Sequence, residues 1–223
     1  MSKNINKNFA VQIFDILNNQ YPKVKPALIY SNPFELLIST ILSAQCTDER
    51  VNIITKSLFK KFKKPQDFVD LTNEELEKEI FSTGFYKQKA KSIKACCMEL
   101  LENHKGKVPA DFDELVKLSG VGRKTASVIA GNAFDIPAIA VDTHVKRLSN
   151  LLGFIDSQNP DRIEIRLKEL LPESYWIKSS HLLATHGRKI CIANRPKCSE
   201  CVIADLCPSF NYHLKKVKND KRK

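Results

Sequence analysis

Four cysteines close to the end of the sequence place the strongest constraint on the fold. Cys191, Cys198, Cys201 and Cys207 follow the spacing C-x6-C-x2-C-x5-C, which confines four soft ligands to one short segment. Thiolates grouped in this way can close around one compact centre, as a four-cysteine iron–sulfur cluster requires. A tetrahedral zinc site more often has two close cysteine pairs separated by a long stretch, and here only Cys198 and Cys201 are close. The spacing therefore favours a [4Fe–4S] cluster, with zinc and metal-free cysteines as the alternatives.

The other three cysteines indicate a reducing environment. Cys46, Cys96 and Cys97 fall within apolar segments, and the adjacent pair is unsuited to a mutual disulfide, so all three are interpreted as small buried hydrophobic residues. The N-terminus lacks a basic start followed by a long apolar region, and no stretch approaches the length needed to span a bilayer. We expect an intracellular protein without a membrane partner.

The charge of the chain indicates the kind of partner. There are 36 Lys and Arg residues against 25 Asp and Glu residues, which gives a formal net charge of +11. Such an excess neutralises phosphates and releases their counterions, so nucleic acid is the leading candidate. The alternative is that the lysines only keep the surface soluble.

The hydrophobic pattern predicts an all-α fold. Apolar residues recur at helical spacing in several segments, and strand-like alternation is scarce. The pairs Asn32-Pro33 and Asn159-Pro160 each match a helix cap followed by proline at the first helical position. The segment from Pro33 to Ala44 is apolar nearly all round, which predicts a helix buried at the centre of a bundle.

A helix, a tight hairpin and a second helix are predicted over residues 111–134. The string LSGVGRKTASVIAGNAF contains Gly120 and Gly122, which permit backbone conformations closed to other residues. We expect this turn to direct consecutive N–H groups outward at the start of the second helix. Backbone amides and the positive helix end would then hold a DNA phosphate without reading a base.

Lys124 and Asp142 are the candidate catalytic residues. Lys124 is predicted near a helix N-terminus beside Arg123, where the dipole and the like charge disfavour its charged form and make a nucleophilic amine accessible. Asp142 follows an apolar run and suits a helix N-cap, a position compatible with the edge of a cleft. Taken alone, an exposed lysine and a capping aspartate are also ordinary structural residues.

Five ordered motifs give the chain a resemblance to a known family. They are SNPFELLISTILSAQCTD, GFYKQKA, LSGVGRKTA, AVDTH and THGRKIC followed by the cysteine spacing. Together they resemble the endonuclease III family, the iron–sulfur members of the helix-hairpin-helix DNA glycosylases. The resemblance covers essentially the full length.

The resemblance implies a bifunctional enzyme that excises oxidised pyrimidines from duplex DNA and then nicks the strand. It implies Lys124 as the nucleophile at the sugar C1′, forming an imine that permits β-elimination, and Asp142 as the assisting carboxylate. Gln45 and Phe85 take the positions of residues that wedge into the duplex while the damaged nucleotide is flipped out. The DNA contacts implied or predicted at the hairpin and beyond are Gly120, Val121, Gly122, Arg123 and His144.

The same resemblance implies two helical domains with a cleft between them. The first would span residues 26–136 and include the hairpin, and the second would combine residues 1–25 with 137–223. The second would carry the iron–sulfur cluster and a disordered basic tail from about residue 214. We expect a monomer that is associated with DNA.

Two residues depart from the family pattern. Ser119 stands where the hairpin usually begins with proline, which predicts a less rigid turn. Phe85 stands where leucine is common and offers a flat ring to the base stack. These differences bear on the preferred lesion and on the preferred opposite base.

Three other functions compete with this one. An adenine mismatch glycosylase shares the scaffold but lacks a lysine at the position of Lys124 and carries a further C-terminal domain. A non-catalytic helix-hairpin-helix iron–sulfur DNA-binding protein would not need Lys124 and Asp142 together. An iron–sulfur redox protein would leave the hairpin unexplained. The joint presence of nucleophile, acid and anion site favours the lyase-competent glycosylase.

Overall fold

The computed structural model describes residues 5–210, and within them all regular structure is helical. The predicted all-α fold is confirmed. The basic tail predicted from about residue 214 lies outside the described residues. No helix among the described residues is long and apolar enough to cross a membrane.

The α-helices are α1 (Lys7–Gln20), α2 (Pro33–Leu42), α3 (Asp48–Lys61), α4 (Pro65–Val69), α5 (Asn73–Ile80), α6 (Tyr86–His104), α7 (Phe112–Lys117), α8 (Arg123–Phe134), α9 (Thr143–Leu151), α10 (Pro160–Leu170) and α11 (Trp176–Lys189).

The helices form two compact units. The hairpin unit is Pro26–Ile136 and contains α2 to α8. The cysteine unit combines residues 5–25 with residues 137–210 and contains α1 and α9 to α11.

Helix α2 is the centre of the hairpin unit. It packs against α3, α6 and α8, and every residue from Leu36 to Leu42 is buried. Removing a Leu or Ile side chain from water contributes roughly 1.5–3 kcal/mol, so the burial of this helix stabilises the hairpin unit. The predicted buried helix is confirmed over most of its length, but it ends at Leu42 and Ala44 is exposed in the following turn.

In the cysteine unit, α11 packs against α9 and α1. Phe14 of α1 stacks on Phe154 with ring centroids 5.9 Å apart. Gly187 lets α11 approach α9 closely, because a Cβ atom there would lie 3.0 Å from the His144 Nδ1 and Arg147 Nη2 atoms. A side chain larger than hydrogen would require the His144 and Arg147 side chains to shift.

Both asparagine–proline helix starts are confirmed. The Asn32 Oδ1 atom accepts a hydrogen bond from the Glu35 N–H at 2.9 Å, and Pro33 is the first residue of α2. The Asn159 Oδ1 atom accepts from the Asp161 N–H at 2.8 Å ahead of α10. Each asparagine thus supplies a partner to a first-turn donor that the helix leaves unsatisfied.

Candidate functional site

The hairpin turn between α7 and α8 depends on one of its two glycines for its shape. Gly120 has a φ of +79°, and a Cβ atom there would lie 3.0 Å from the Ser92 Cβ atom, so both conformation and space require glycine. Gly122 has a φ of −89°, so the prediction that it needs a conformation closed to other residues is wrong. Its place as the N-cap of α8 is surrounded by open space instead, because a Cβ atom added there would have no neighbouring atom within 4 Å.

The amide of Val121 does not point outward as predicted. The Val121 N–H donates to the Leu118 carbonyl at 3.0 Å and closes the turn, and the Val121 side chain is buried. The outward donors therefore begin at the first turn of α8. Gly122 has no side chain with which to cap them, and the first N–H groups of a helix have no partner within it. This end of α8 is suited to an anion.

Lys124 and Arg123 lie at this end of the helix. They are the first two residues of α8, and both are exposed. The Arg123 guanidinium lies over the Phe112 ring at 5.2 Å from its centroid, which joins the first helix of the hairpin to the second. Lys124 is accessible to a ligand held at the helix end.

Ser119 is held by an acidic residue of α6. The Ser119 N–H donates to one Glu99 carboxylate oxygen at 2.7 Å, and the Ser119 hydroxyl donates to the other at 2.6 Å. Two charge-assisted hydrogen bonds are among the stronger contacts that a turn can make. Serine alone predicted a less rigid turn. Glu99, which lies 20 positions earlier in the sequence, restrains the turn through these two hydrogen bonds.

Asp142 is the N-cap of α9, as its position in the sequence predicts. Its Oδ1 atom accepts a hydrogen bond from the Val145 N–H at 2.8 Å, so the cap uses one of the two carboxylate oxygens. The half-buried His181 is a titratable neighbour that sequence reasoning missed. Burial lowers the pKa of His181, and the nearby Asp142 carboxylate opposes that shift. His144 is half-buried, and its Nδ1 atom lies 3.4 Å from the Arg147 Nη2 atom.

Gln45 and Phe85 share an uncommon backbone conformation. Their φ angles are +52° and +50°, in the left-handed region that residues other than glycine rarely adopt. Both residues are exposed, and Phe85 is 66% accessible although it is large and apolar. Left-handed conformations in non-glycine residues are often found at functional sites, because the surrounding structure must hold them in place.

The four cysteines of the C-terminal motif line one pocket. Cys198 begins a 3₁₀ turn, and Cys207 directly follows the next one. The remaining lining is largely apolar and comes from Leu148, Leu151, Leu152, His186, Ile190, Pro196, Lys197, Ile203, Ala204 and Phe210. Within residues 5–210, no three His, Cys, Asp or Glu side chains are arranged to hold a single metal ion.

The thiols of this pocket are poor acids on their own. Burial raises the pKa of Cys191 to about 11, while the Arg147 guanidinium opposes the shift and the other three cysteines add to it. Burial likewise raises the pKa values of Cys198, Cys201 and Cys207. Four neighbouring thiolates would repel one another here, so ionising all four requires a bound cationic centre. A soft four-thiolate set in an apolar pocket fits an iron–sulfur cluster.

Polar groups next to the cysteines also escaped sequence reasoning. The His186 Nε2 atom lies 3.4 Å from the Cys201 Sγ atom, and the His186 Nδ1 atom lies 3.1 Å from the Tyr21 hydroxyl. The Arg147 Nη2 atom donates to the Cys191 carbonyl at 2.7 Å. Their partners lie 15 to 165 positions away in the sequence, so no local pattern marks them.

A known protein family matches the part of the chain that contains α7, the hairpin turn and α8. Residues 38–173 match the family model of the HhH-GPD superfamily base excision DNA repair proteins. With α7 and α8 on either side of the hairpin turn, this match defines the class: a helix-hairpin-helix protein of base excision DNA repair.

Individual relatives narrow the class. Endonuclease III of Synechocystis sp. is 45% identical over 204 residues, covering 91% of this chain and 93% of that protein. Endonuclease III of Bacillus subtilis is 45% identical over 194 residues, covering 86% and 89%. A solved structure of a trapped covalent intermediate between endonuclease III and DNA superposes with a TM-score of 0.90 at 41% identity, covering 94% of this chain and 99% of that one. The chain belongs to the endonuclease III family.

Proposed function

We propose that this protein is a bifunctional DNA glycosylase and abasic-site lyase of base excision repair. It excises oxidised pyrimidines from duplex DNA and cleaves the strand 3′ to the abasic site by β-elimination. The observation that carries the proposal is the exposed Lys124 in the first turn of α8, two residues after a glycine N-cap surrounded by open space. The related endonuclease III that has been trapped as a covalent intermediate with DNA supports the same chemistry.

The first step is capture of the DNA backbone. A phosphate binds at the N-terminus of α8, where first-turn N–H groups and the positive helix end favour an anion. The open space at Gly122 allows the phosphate to approach the backbone closely. In this arrangement Gly120 shapes the turn, Val121 closes it and Arg123 adds charge. A net charge of +11 supplies long-range attraction that does not depend on sequence.

Lys124 then supplies the nucleophile. Its neutral amine attacks C1′ of the flipped nucleotide, the bond from C1′ to the base breaks, and the base leaves with the bonding electron pair. Loss of the amine protons and opening of the sugar give an imine between Lys124 and C1′. Removal of a proton from C2′ then breaks the bond from C3′ to the phosphate oxygen and nicks the strand.

Asp142 assists because a carboxylate can accept a proton or stabilise the positive charge that develops on the sugar. Both roles require its negative charge, and Oδ2 is not used in the cap of α9. His144, two residues later in the same helix start, is proposed to contact a phosphate.

Gln45 and Phe85 are proposed to fill the gap left by the flipped nucleotide. Both are exposed on left-handed backbone, as expected for side chains that must project beyond their own loops. The planar Phe85 ring gives base stacking where the family pattern has a branched aliphatic side chain.

The proposed cofactor is a [4Fe–4S] cluster bound by Cys191, Cys198, Cys201 and Cys207. With four thiolate ligands it offers no open position for substrate, so its contribution is to stabilise the loop that carries them. Arg188, Lys189, Arg195 and Lys197 in and before this loop add positive charge for the DNA backbone.

The decisive experiment is borohydride trapping on duplexes that carry dihydrouracil or an abasic site. Wild-type protein should become covalently linked to both DNAs, and Lys124→Ala should lose trapping, base release and strand cleavage while binding lesion DNA within a few-fold. Lys78→Ala, an exposed lysine of α5 in the same unit, is the matched control and should behave as wild type. Trapping by Lys124→Ala would assign the nucleophile elsewhere. Binding by the wild type without any base release or trapping would make the protein a non-catalytic DNA-binding module.

A further inference from the structure

A buried lysine joins the two loops that carry Gln45 and Phe85. Lys89 lies in the first turn of α6 and is only 5% exposed. Its Nζ atom donates to the Leu42 carbonyl at 2.8 Å and to the Thr83 carbonyl at 2.9 Å. Leu42 ends α2 three residues before Gln45, and Thr83 lies two residues before Phe85.

The same residue also holds the Phe85 loop through its backbone. The Lys89 N–H donates to the Phe85 carbonyl at 3.0 Å, so one residue bonds to both sides of Gly84. Burial lowers the pKa of Lys89, and the neighbouring Cys46, directly after Gln45, opposes that shift. The side chain therefore lies against both loops.

A buried ammonium group is costly unless its hydrogen bonds are made. A flexible apolar side chain would fill this space at a lower cost in desolvation. Packing alone therefore does not explain why a lysine occupies this position. The charge does have a favourable environment, because the last carbonyls of α2 lie at the negative end of that helix. What the lysine adds beyond packing is a direct link between two segments that lie 41 positions apart, at residues 42 and 83.

We propose that Lys89 is a positioning residue, which sets the spacing of Gln45 and Phe85 for insertion into the duplex. This inference rests on the wedge role given to those two residues in the proposed function. Both have left-handed backbones that cost energy and persist only when their surroundings fix them. Lys89 fixes the chain just before each of them. Loosening one loop therefore releases the other, and the two wedge residues act as one rigid pair.

The test is Lys89→Met, which keeps the length and much of the volume of the side chain but removes both donors. Nucleotide flipping depends on the wedge, so excision of the stably paired dihydrouracil should slow by about tenfold, equivalent to about 1.4 kcal/mol on the activation barrier. Cleavage at an abasic site has no base to unpair and should stay within about twofold. Hydrogen exchange should speed up at the backbone amides of both loops, residues 43–46 and 83–86.

A double-mutant comparison separates positioning from general destabilisation. If Lys89 acts through Phe85, then Lys89→Met should cost little further excision rate in a Phe85→Ala background, because coupled residues give non-additive effects. Thr55→Val is the matched control. It removes one buried hydrogen bond, from the Thr55 hydroxyl to the Val51 carbonyl at 2.9 Å, in the same unit but in neither loop. It should leave the ratio of the two activities unchanged.

Each outcome decides the proposal. Equal losses on both substrates, full additivity with Phe85→Ala, or unchanged exchange in one of the two loops would overturn it. If Lys89→Met does not fold, Lys89→Gln provides the same comparison, because its shorter amide cannot reach both carbonyls. A wild-type protein without excision activity would refute the proposed function instead, and the exchange of the two loops would still test the link made by Lys89.

Discussion

Gln45 and Phe85 both have left-handed backbones, so we expect replacement by glycine to relieve backbone strain while it removes the side chain needed for activity. Thermal stability and excision activity should therefore change in opposite directions. A left-handed conformation costs a non-glycine residue about 1–2 kcal/mol, a cost that glycine avoids. Glycine in turn loses about 0.4–1 kcal/mol more than alanine through the entropy of the unfolded chain. At each position the glycine variant should therefore have a higher free energy of unfolding than the alanine variant, by about 0.5–1 kcal/mol. For a chain of 223 residues this corresponds to a rise in Tm of roughly 1–4 °C.

The comparison of Phe85→Gly with Phe85→Ala isolates the backbone term, because both variants lack the ring. Thermal unfolding gives the difference in stability, and excision of dihydrouracil from duplex DNA gives the activity. Loss of the ring removes about 1–3 kcal/mol of base stacking, so both variants should excise the lesion at least about fivefold more slowly than wild type. The more stable glycine variant should thus be no more active than the alanine variant.

Lys105 provides a matched control for this experiment. It has a φ of +54°, is exposed in the turn after α6, and has no place in the proposed site. Lys105→Gly should exceed Lys105→Ala in stability by a similar margin, with both variants as active as wild type. Glycine variants at 45 and 85 that are less stable than the alanine variants would refute the strain argument. Full activity of Phe85→Ala would refute the wedge.

Two further predictions address the carboxylate and the cluster. Asp142→Asn should keep the cap of α9, because asparagine caps as well as aspartate does, and should therefore leave Tm nearly unchanged while slowing base release by about tenfold or more. If Asp142→Asn were fully active, with Tm unchanged, Asp142 would be a helix cap only. Cys198→Ser should abolish bound iron and the brown absorbance and lower the soluble yield, while Cys46→Ser, outside the cysteine pocket, should retain iron. Stoichiometric zinc in purified wild-type protein, with no iron or acid-labile sulfide, would contradict the cluster.

Local patterns in the sequence account for much of the fold. The caps at Asn32 and Asn159 act on donors within three residues of themselves, so their role follows from the sequence alone. The buried helix α2 was equally predictable, because a segment that is apolar all round can only be stable inside. The roles of the two hairpin glycines were less accessible. Either glycine could have taken the left-handed conformation, and the contact of Gly120 with Ser92 of α6, absent at Gly122, becomes apparent only in three dimensions.

Two residues that contact the candidate site from α6, Glu99 and Lys89, were missed by sequence reasoning. Glu99 and Lys89 look like ordinary surface charges on α6 when only that helix is considered, since charged residues on a helix are usually solvated. Their functions depend on partners from other segments, Ser119 for one and the Leu42 carbonyl for the other. Left-handed backbone at Gln45 and Phe85 is equally hidden, because neither residue type favours it and the surrounding structure imposes it.

Ser119 illustrates how a departure from a family pattern can be balanced elsewhere. Proline would stiffen the start of the hairpin through its fixed φ but has no N–H to donate. Serine has that donor and a hydroxyl as well, and Glu99 binds both at 2.7 and 2.6 Å. In this chain two hydrogen bonds to the Glu99 carboxylate of α6 therefore restrain the turn, where the proline of the family pattern would restrain it through its ring. The same helix carries Lys89, so residues of α6 bond both to the hairpin turn and to the segments just before Gln45 and Phe85.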